Sequence, residues 1–263
     1  GVRLVGSEMC IRDRFMESME SSYADKEDGG TMDDNYIPNL TKLARENVQF
    51  TDKKDGKVGG PVCLEATAYT AGGLVAQTSA INLKVMNSGA VSDSFLPNLT
   101  ALGDILNKQG YNQMFLCGSD GDFAGRDAYF KTHKDYQIED YKAAIKEGDI
   151  PKDYKVYWGH EDKVLYERAK KNLKKLSKEG KPFNLTMLTV DTHFPNGYIC
   201  DLCENKYDTT YGNAVACADR QVYDFVQWIK KQDFYEDTTI IIAGDHTSCL
   251  LYTSDAADEA RSV

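Results

Sequence analysis

The chain has 263 residues, a formal net charge of -10 and 41% hydrophobic residues, with a pI near 5.0. This composition is ordinary for a globular domain, and nothing in it is basic enough for general affinity to nucleic acid. No apolar run approaches the roughly 18 residues of a membrane-spanning helix. The length suits one domain.

Both ends of the chain resemble translated sequencing adapters. Residues 4–14, LVGSEMCIRDR, resemble an in-frame translation of a transposase mosaic-end adapter, and residues 249–259, CLLYTSDAADE, resemble the partner adapter read in the opposite sense. We therefore set 1–14 and 249–263 aside as adapter-derived and expect one partial domain over 15–248. The alternative is a short basic arm and an acidic tail. Truncation at both ends would have removed any upstream membrane anchor.

Helical and strand patterns alternate between these ends. Continuous apolar runs predict buried strands at 111–117, 183–190 and 239–243, with the stump of a first strand at 15–16. Apolar residues at helical spacing, with Pro and Gly at natural ends, predict helices at 38–48, 70–83, 95–110, 139–146, 163–177 and 215–232. This alternation predicts an α/β fold with a mostly parallel sheet.

Polar side chains follow several predicted strands where each one ends. Asp245 and His246 follow the last strand, Glu17 follows the first, and His193 follows the strand at 183–190. In open α/β sheets, ligands bind beyond the carboxyl ends of the strands, so these side chains are candidates for one site. Each also has an alternative interpretation when taken alone. Asp245 and His246 would form a polar turn after the last strand, Glu17 would be a surface glutamate, and His193 would be a structural hydrogen-bonding residue.

Two further residues suit a phosphate group. Thr70 lies where a turn enters an apolar helix, beside unpaired amides and the positive end of the helix dipole. The alternative is that its hydroxyl caps the helix. Arg126 ends a Gly-rich loop and can clamp a phosphate oxygen with its planar fork. An ion pair with Asp122 or Asp127 is the competing interpretation.

Glu17, Thr70, Asp245 and His246 together offer two carboxylates, a hydroxyl and an imidazole, a set that can bind one divalent cation. Such a cation lowers the pKa of the hydroxyl and neutralises an attacked phosphate. The pattern therefore predicts metal-assisted nucleophilic catalysis. Elsewhere, a Cys203–Cys217 disulfide is expected if the compartment is oxidising, and a reduced buried pair if it is not.

Six motifs occur in order along the chain: MES-MES at Glu17, AYTAGGLVAQ around Thr70, FAGRD around Arg126, WGHED around Trp158, LTVDTHFP around His193, and GDH at 244–246. Together they resemble the lipoteichoic acid synthase and phosphoglycerol transferase family, a sulfatase-like branch of the alkaline phosphatase superfamily. The resemblance covers essentially all of 15–248 and looks closest to the transferases that modify periplasmic glucans. It implies an alkaline phosphatase-like α/β/α sandwich, incomplete at both ends.

The resemblance also implies roles. Thr70 would be nucleophile and metal ligand, and Glu17, Asp245 and His246 would complete a site for Mn2+, with Mg2+ or Zn2+ as alternatives. Arg126 and His193 match positions that contact the phosphoglycerol group. Thr70 would attack phosphatidylglycerol, release diacylglycerol, and pass glycerol phosphate to an envelope glycan or a teichoic-acid-type polyglycerolphosphate. The catalytic domain would lie on the extracellular or periplasmic side of the cell membrane, anchored by an N-terminal region that this chain lacks.

The sequence departs from the family pattern near the arginine. Ala124 stands where some synthases have an aromatic residue, and Ser119 stands where they have an acidic one. A sulfatase activity is disfavoured because residues 63–67 lack the proline and arginine of a C-x-P-x-R motif and Thr70 cannot become formylglycine. The alternatives are a phosphoethanolamine transferase or phosphodiesterase of the same superfamily, and a non-catalytic domain that binds an envelope glycan or a lipid headgroup.

Overall fold

A computed structural model describes residues 10–51, 53, 56–83 and 94–248, with the backbone alone for 10–14. Five parallel strands form one sheet in the order β3-β2-β4-β1-β5. Their bounds are Cys10–Met16 (β1), Asn112–Cys117 (β2), Gln137–Glu139 (β3), Phe183–Leu188 (β4) and Thr238–Gly244 (β5). The predicted α/β class with a mostly parallel sheet is confirmed.

Seven α-helices of the described residues cover the two faces of this sheet. They are Pro38–Glu46 (α1), Thr70–Ser79 (α2), Leu102–Lys108 (α3), Arg126–Thr132 (α4), Tyr141–Glu147 (α5), Asp162–Leu176 (α6) and Thr210–Ile229 (α7). Buried side chains of α6 and α7 pack on one face, and those of α2 and α4 pack on the other. None of these helices has both the length and the apolar composition needed to cross a membrane.

Alternation along β2 explains the two cores. Met114 and Leu116 belong to the cluster with α6 and α7, whereas Phe115 and Cys117 belong to the cluster with α2 and α4. Because successive side chains of a strand point to opposite faces, a fully apolar strand requires a helical layer on each side. The three layers form the α/β/α sandwich that the family resemblance implied.

Five element predictions need correction. The first strand begins at Cys10 rather than at residue 15, and the helix predicted at 95–110 covers only Leu102–Lys108. The run at 239–243 was predicted to be buried, but β5 is an edge strand of the described sheet, and Ile241 is 43% exposed because no described strand pairs with its outer side. The helix at 70–83 ends at Ser79, where Ala80 adopts a left-handed conformation. The last helix begins at Thr210, with the Thr209 side chain capping it through the Gly212 amide.

The sequence prediction also missed α4 and β3. Both are short, and they are separated by Lys134 and Asp135, which have positive φ. Charged residues at such a turn give the segment the sequence character of a loop. Tyr129 and Phe130 of α4 are nevertheless buried against the sheet.

Candidate metal centre

The candidate metal ligands converge because β1 and β5 are neighbouring parallel strands. Their register pairs Met16 with Gly244, so Glu17 and Asp245 follow side by side at the carboxyl edge. Asp245 donates its backbone N–H to the Met16 carbonyl oxygen at 3.1 Å. Its Oδ1 accepts the backbone N–H of Ser18 at 2.8 Å. Strand pairing thus joins carboxylates from opposite ends of the described chain.

His246 points its ring toward both carboxylates. Its Nε2 lies 3.2 Å from Glu17 Oε1 and 3.5 Å from Asp245 Oδ2. Its Nδ1 lies 2.9 Å from the Thr247 carbonyl oxygen, which can only accept, so Nδ1 carries the proton of that bond. In the neutral ring, Nε2 is therefore the nitrogen available to a metal.

The residues at this edge fit one divalent cation. The ligand atoms of Glu17, Asp245 and His246 all lie within 4.8 Å of one another. Asp245 Oδ2 is buried and has no hydrogen-bond partner among the described residues. A buried carboxylate oxygen without a partner is costly, and a bound cation would remove that cost. Two carboxylates and one imidazole are suitable ligands for such an ion.

Burial and mutual contact set the charges of this cluster. Burial raises the pKa of Glu17, but the hydrogen bond and charge of His246 outweigh it and hold that pKa below its usual value. Burial and the charge of Glu17 raise the pKa of Asp245 well above its usual value. Burial lowers the pKa of His246, yet its contacts with Glu17 and Asp245 raise it to about 10. A metal would therefore displace protons when it binds.

Thr70 is the first residue of α2, and its hydroxyl faces the cluster. Thr70 Oγ1 donates to Glu17 Oε2 at 3.2 Å and lies 3.5 Å from His246 Nε2. The N-cap of α2 is Tyr69, and no side chain caps this helix end. The capping interpretation of Thr70 is therefore wrong, and its hydroxyl is directed at the candidate ligands.

Two glycines let α2, the end of β5 and the loop after β1 approach one another closely. A Cβ on Gly73 of α2 would overlap the Asp245 carbonyl oxygen and lie 2.8 Å from the carbonyl carbon. A Cβ on Gly244 would overlap the Met19 carbonyl oxygen. Helix α2 therefore packs directly on the backbone that presents the Asp245 carboxylate.

Three hydroxyl groups that sequence reasoning missed hold Glu17. Ser18 Oγ donates to Glu17 Oε1 at 2.9 Å, and Thr189 Oγ1 accepts the Glu17 backbone N–H at 3.0 Å. Thr192 Oγ1 donates to the Glu17 carbonyl oxygen. A sequence signal was available, since both threonines belong to the LTVDTHFP motif.

Arg126 lies outside this cluster, at the start of α4. Its guanidinium donates to the carbonyl oxygens of Phe123 and Asp120 at 3.0 and 2.6 Å and to Ser119 Oγ at 3.1 Å. The ion pairs weighed for Arg126 do not form, because Asp122 pairs with Lys142 and Asp127 pairs with Lys131. Arg126 is only 6% exposed, so its fork is fixed in direction.

His193 is linked to Arg126 through a row of aromatic rings. The guanidinium lies 5.5 Å from the Phe123 ring centre, Phe123 lies 5.8 Å from Trp158, and Trp158 lies 4.9 Å from His193. Nδ1 of His193 lies 2.7 Å from the Phe194 carbonyl oxygen. Neither Arg126 nor His193 has a hydrogen bond to a described ligand of the cluster, although the charge of His193 helps to lower the pKa of Glu17.

A buried acid pair precedes His193 along the chain and was also missed. Asp162 accepts the backbone N–H groups of Val190 at 2.8 Å and Asp191 at 3.2 Å. Neither carboxylate oxygen of Asp191 has a hydrogen-bond partner among the described residues. Burial raises the pKa of Asp162 to about 7. Burial, with the nearby charge of Asp162, raises that of Asp191 to about 10.

The predicted Cys203–Cys217 disulfide is not formed. Both residues are free thiols, and so is Cys200. The Cys200 sulfur lies 3.6 Å from that of Cys203 and 4.0 Å from that of Cys217. The free thiols correspond to the reduced alternative of that prediction, and Cys200 joins Cys203 and Cys217 in one cluster of three.

Comparison with known proteins now identifies the family. The family model described as Sulfatase matches residues 15–259. This chain belongs to the sulfatase family. Two curated relatives named phosphoglycerol transferase I, from Salmonella choleraesuis and Escherichia coli O6:K15:H31, are each 32% identical over 244 residues. Each match covers 88% of this chain and 30% of the relative, so the chain spans about a third of these relatives' length.

Solved structures support the same fold for this sulfatase-family chain. An alkaline phosphatase superfamily protein from Vibrio parahaemolyticus has a TM-score of 0.72 at 24% identity, covering 92% of this chain and 55% of its own. The lipoteichoic acid synthase LtaP from Listeria monocytogenes has a TM-score of 0.68 at 19% identity, covering 92% and 56%. The predicted superfamily and fold are confirmed.

Proposed function

We propose that this chain is the catalytic part of a metal-dependent phosphoglycerol transferase that acts on phosphatidylglycerol. The observation that carries the proposal is the Thr70 hydroxyl, which lies at the start of α2 and 3.2 Å from Glu17 Oε2. The names of the curated relatives support the choice of glycerol phosphate as the transferred group. The lack of a C-x-P-x-R motif at 63–67 argues against a sulfatase activity.

Thr70 is suited to be the nucleophile because two features meet at its hydroxyl. Glu17 has a lowered pKa, so its ionised carboxylate accepts the hydroxyl hydrogen and orients the Thr70 oxygen. The unpaired N–H groups in the first turn of α2 suit the oxygens of a phosphate held in front of that oxygen. The Thr70 hydroxyl therefore lies beside both an ionised carboxylate and a site suited to phosphate oxygens.

The proposed reaction has two displacements at phosphorus. In the first, Thr70 Oγ1 loses its proton and bonds to phosphorus, the bond from phosphorus to the diacylglycerol oxygen breaks, and that oxygen takes up a proton. In the second, an acceptor hydroxyl attacks the glycerol-phosphorylated Thr70, loses its proton, and restores the threonine hydroxyl. The covalent intermediate divides one difficult displacement into two easier ones.

Glu17, Thr70, Asp245 and His246 would hold one divalent metal, for which we propose Mn2+, with Mg2+ or Zn2+ as alternatives. When bound, such an ion lowers the pKa of a ligated hydroxyl and neutralises charge on an attacked phosphate. The chain's own part is to fix the ligands. Strand pairing sets the two carboxylates, and the Thr247 carbonyl oxygen orients the ring of His246.

Arg126 and His193 would bind the glycerol phosphate group. The Arg126 fork is held by three hydrogen bonds, and His193 packs on Trp158. The acceptor would be an envelope glycan or a polyglycerolphosphate of the teichoic acid type. Such substrates place the catalytic domain on the extracellular or periplasmic side of the cell membrane, attached through an N-terminal region.

The test uses the chain with Mn2+ and phosphatidylglycerol labelled in its acyl chains. Thr70→Ala should abolish diacylglycerol release, and mass spectrometry of the parent should find glycerol phosphate on Thr70. Thr100→Ala is the matched control, because Thr100 is exposed and lies just before α3, outside the ligand cluster. Diacylglycerol release that persists in Thr70→Ala would contradict the proposal.

The same assay separates the competing activities. Turnover of phosphatidylethanolamine in preference to phosphatidylglycerol would indicate a phosphoethanolamine transferase. Release of free glycerol phosphate with no transfer to an added polyglycerolphosphate would indicate a phosphodiesterase. Metal binding without turnover of either lipid would indicate a non-catalytic headgroup-binding domain.

A further inference from the structure

A second cluster of metal-ligating side chains lies away from the candidate metal centre. Cys200 and Cys203 belong to the loop between β4 and α7, and Cys217 lies in the second turn of α7. Their three sulfur atoms lie within 4.8 Å of one another. Cys200 and Cys217 are buried, and Cys203 is half-buried. The loop that follows His193 therefore meets α7 through thiols.

The sulfur spacing matches that of ligands around one metal ion. Zinc–sulfur bonds of about 2.3 Å at tetrahedral angles place two sulfurs roughly 3.8 Å apart. The measured separations of 3.6 Å for Cys200–Cys203 and 4.0 Å for Cys200–Cys217 lie on either side of this value. Cys200 and Cys203 also have the C-x2-C spacing common among zinc sites.

Two polar side chains donate to the sulfur of Cys217. Gln221 Nε2 donates to the Cys217 sulfur at 3.5 Å, and Arg220 Nη2 lies 4.0 Å from the same atom. Donors that contact ligand atoms are the usual outer partners of a metal site, where they orient the ligands and tune their basicity. A purely apolar packing cluster would not require them.

We propose that Cys200, Cys203 and Cys217 bind one thiophilic cation of the Zn2+ class, separate from the ion proposed at Glu17, Asp245 and His246. The two sets differ in chemistry, since three thiolates select a softer ion than carboxylates with one imidazole. Ion binding would fasten the loop that carries His193 onto α7, so this site would be structural.

The test starts from the reduced, metal-free full chain and adds Co2+ as a spectroscopic substitute for Zn2+. Thiolate ligation gives an intense charge-transfer absorption in the near ultraviolet, which oxygen and nitrogen ligands do not give. Because the Glu17, Asp245 and His246 site can also take Co2+, we expect this band to saturate by two equivalents and to disappear when Zn2+ is added. Cys203→Ser should lose the band, and Cys63→Ser should keep it, because Cys63 lies outside the cluster.

A second measurement does not depend on any variant folding. In the wild-type chain, Zn2+ should protect Cys203, the half-buried thiol of the cluster, from alkylation, read by peptide mapping, while Cys63 stays reactive. Absence of both the band and the protection in folded, reduced protein would overturn the proposal. It would also be overturned if the reduced chain formed a Cys203–Cys217 disulfide in air even when saturated with Zn2+.

Discussion

Replacing Gly73 with alanine tests whether α2 sets the position of Asp245. By helix propensity alone, Gly73→Ala should stabilise the protein by about 1 kcal/mol. The structure predicts the opposite, because the new Cβ would lie 2.8 Å from the Asp245 carbonyl carbon and overlap its oxygen. Ordinary carbon contacts are about 3.5 to 4.0 Å, so α2 or the Asp245 backbone must move by roughly 1 Å.

The expected magnitude follows from this displacement. Overpacking of this kind costs about 1–3 kcal/mol, which turns the gain in propensity into no change or a net loss of up to about 2 kcal/mol. Misplacing Asp245 should weaken Mn2+ binding about 10- to 100-fold, as for a lost outer partner of a ligand. At a Mn2+ concentration of about 100 Kd, the parent gains about 2.7 kcal/mol, whereas a 100-fold weaker variant gains only about 0.4 kcal/mol.

The assay is thermal unfolding with and without Mn2+, together with calorimetric titration of the metal. Gly60→Ala is the matched control, because a Cβ there meets no atom within 4 Å; it should keep the full Mn2+ response. If Gly73→Ala were stabilised and bound Mn2+ as tightly as the parent, the close packing of α2 on Asp245 would not position the ligand.

Three other predictions concern charge. Because Asp245 and His246 have raised pKa values, Mn2+ affinity should rise about tenfold per pH unit for each proton displaced, with proton release measurable by titration in buffers of different ionisation enthalpy. A pH-independent affinity would contradict this. The folded-state pKa of Asp191 is raised to about 10, so its stabilising contribution is complete below about pH 4 and is lost as pH rises toward 10. Asp191→Asn should therefore become progressively more stable than the parent as pH rises from about 5 to about 8, and denaturant unfolding that gave a constant difference would refute the assignment. Arg126→Lys should lower kcat/KM for phosphatidylglycerol about 10- to 100-fold, because the lysine ammonium cannot replace the planar guanidinium, and it should leave Mn2+ affinity unchanged. A variant with weaker Mn2+ binding and an unchanged kcat/KM would contradict the assignment of Arg126 to substrate binding.

The sequence was sufficient to predict which residues face the carboxyl edge of the sheet. Glu17, His193 and Asp245 each follow a strand, and parallel strands direct their ends to one edge regardless of their order. The sequence could not predict the strand order, because pairing β1 with β5 joins segments more than 200 residues apart. That pairing brings Glu17 beside Asp245 and separates both from Arg126.

Local pattern also could not distinguish the role of Thr70. Tyr69 and Thr70 differ by one position, and only the backbone conformation makes Tyr69 the N-cap and Thr70 the first helical residue. The same limit applies to the thiols. The sequence suggested that Cys203 and Cys217 form a pair, whereas the fold of the loop places Cys200 in contact with both of them.

The edge position of β5 bears on how the candidate centre is held. An edge strand with partly exposed isoleucines is a weak support by itself, since one flank has no strand partner among the described residues. The end of β5 is instead fixed from the other side: Asp245 bonds to Met16 and Ser18, and Ser248 bonds to Glu20. Because the loop after β1 holds the residues after β5, the ligand geometry depends on that loop more than on the sheet edge. The Arg126 and His193 side rests on β2, β4 and a row of aromatic rings, but Thr189 and Thr192 after β4 hydrogen-bond to the backbone of Glu17. The segment that carries His193 is therefore coupled to the metal ligands, whereas Arg126 has no such contact with them.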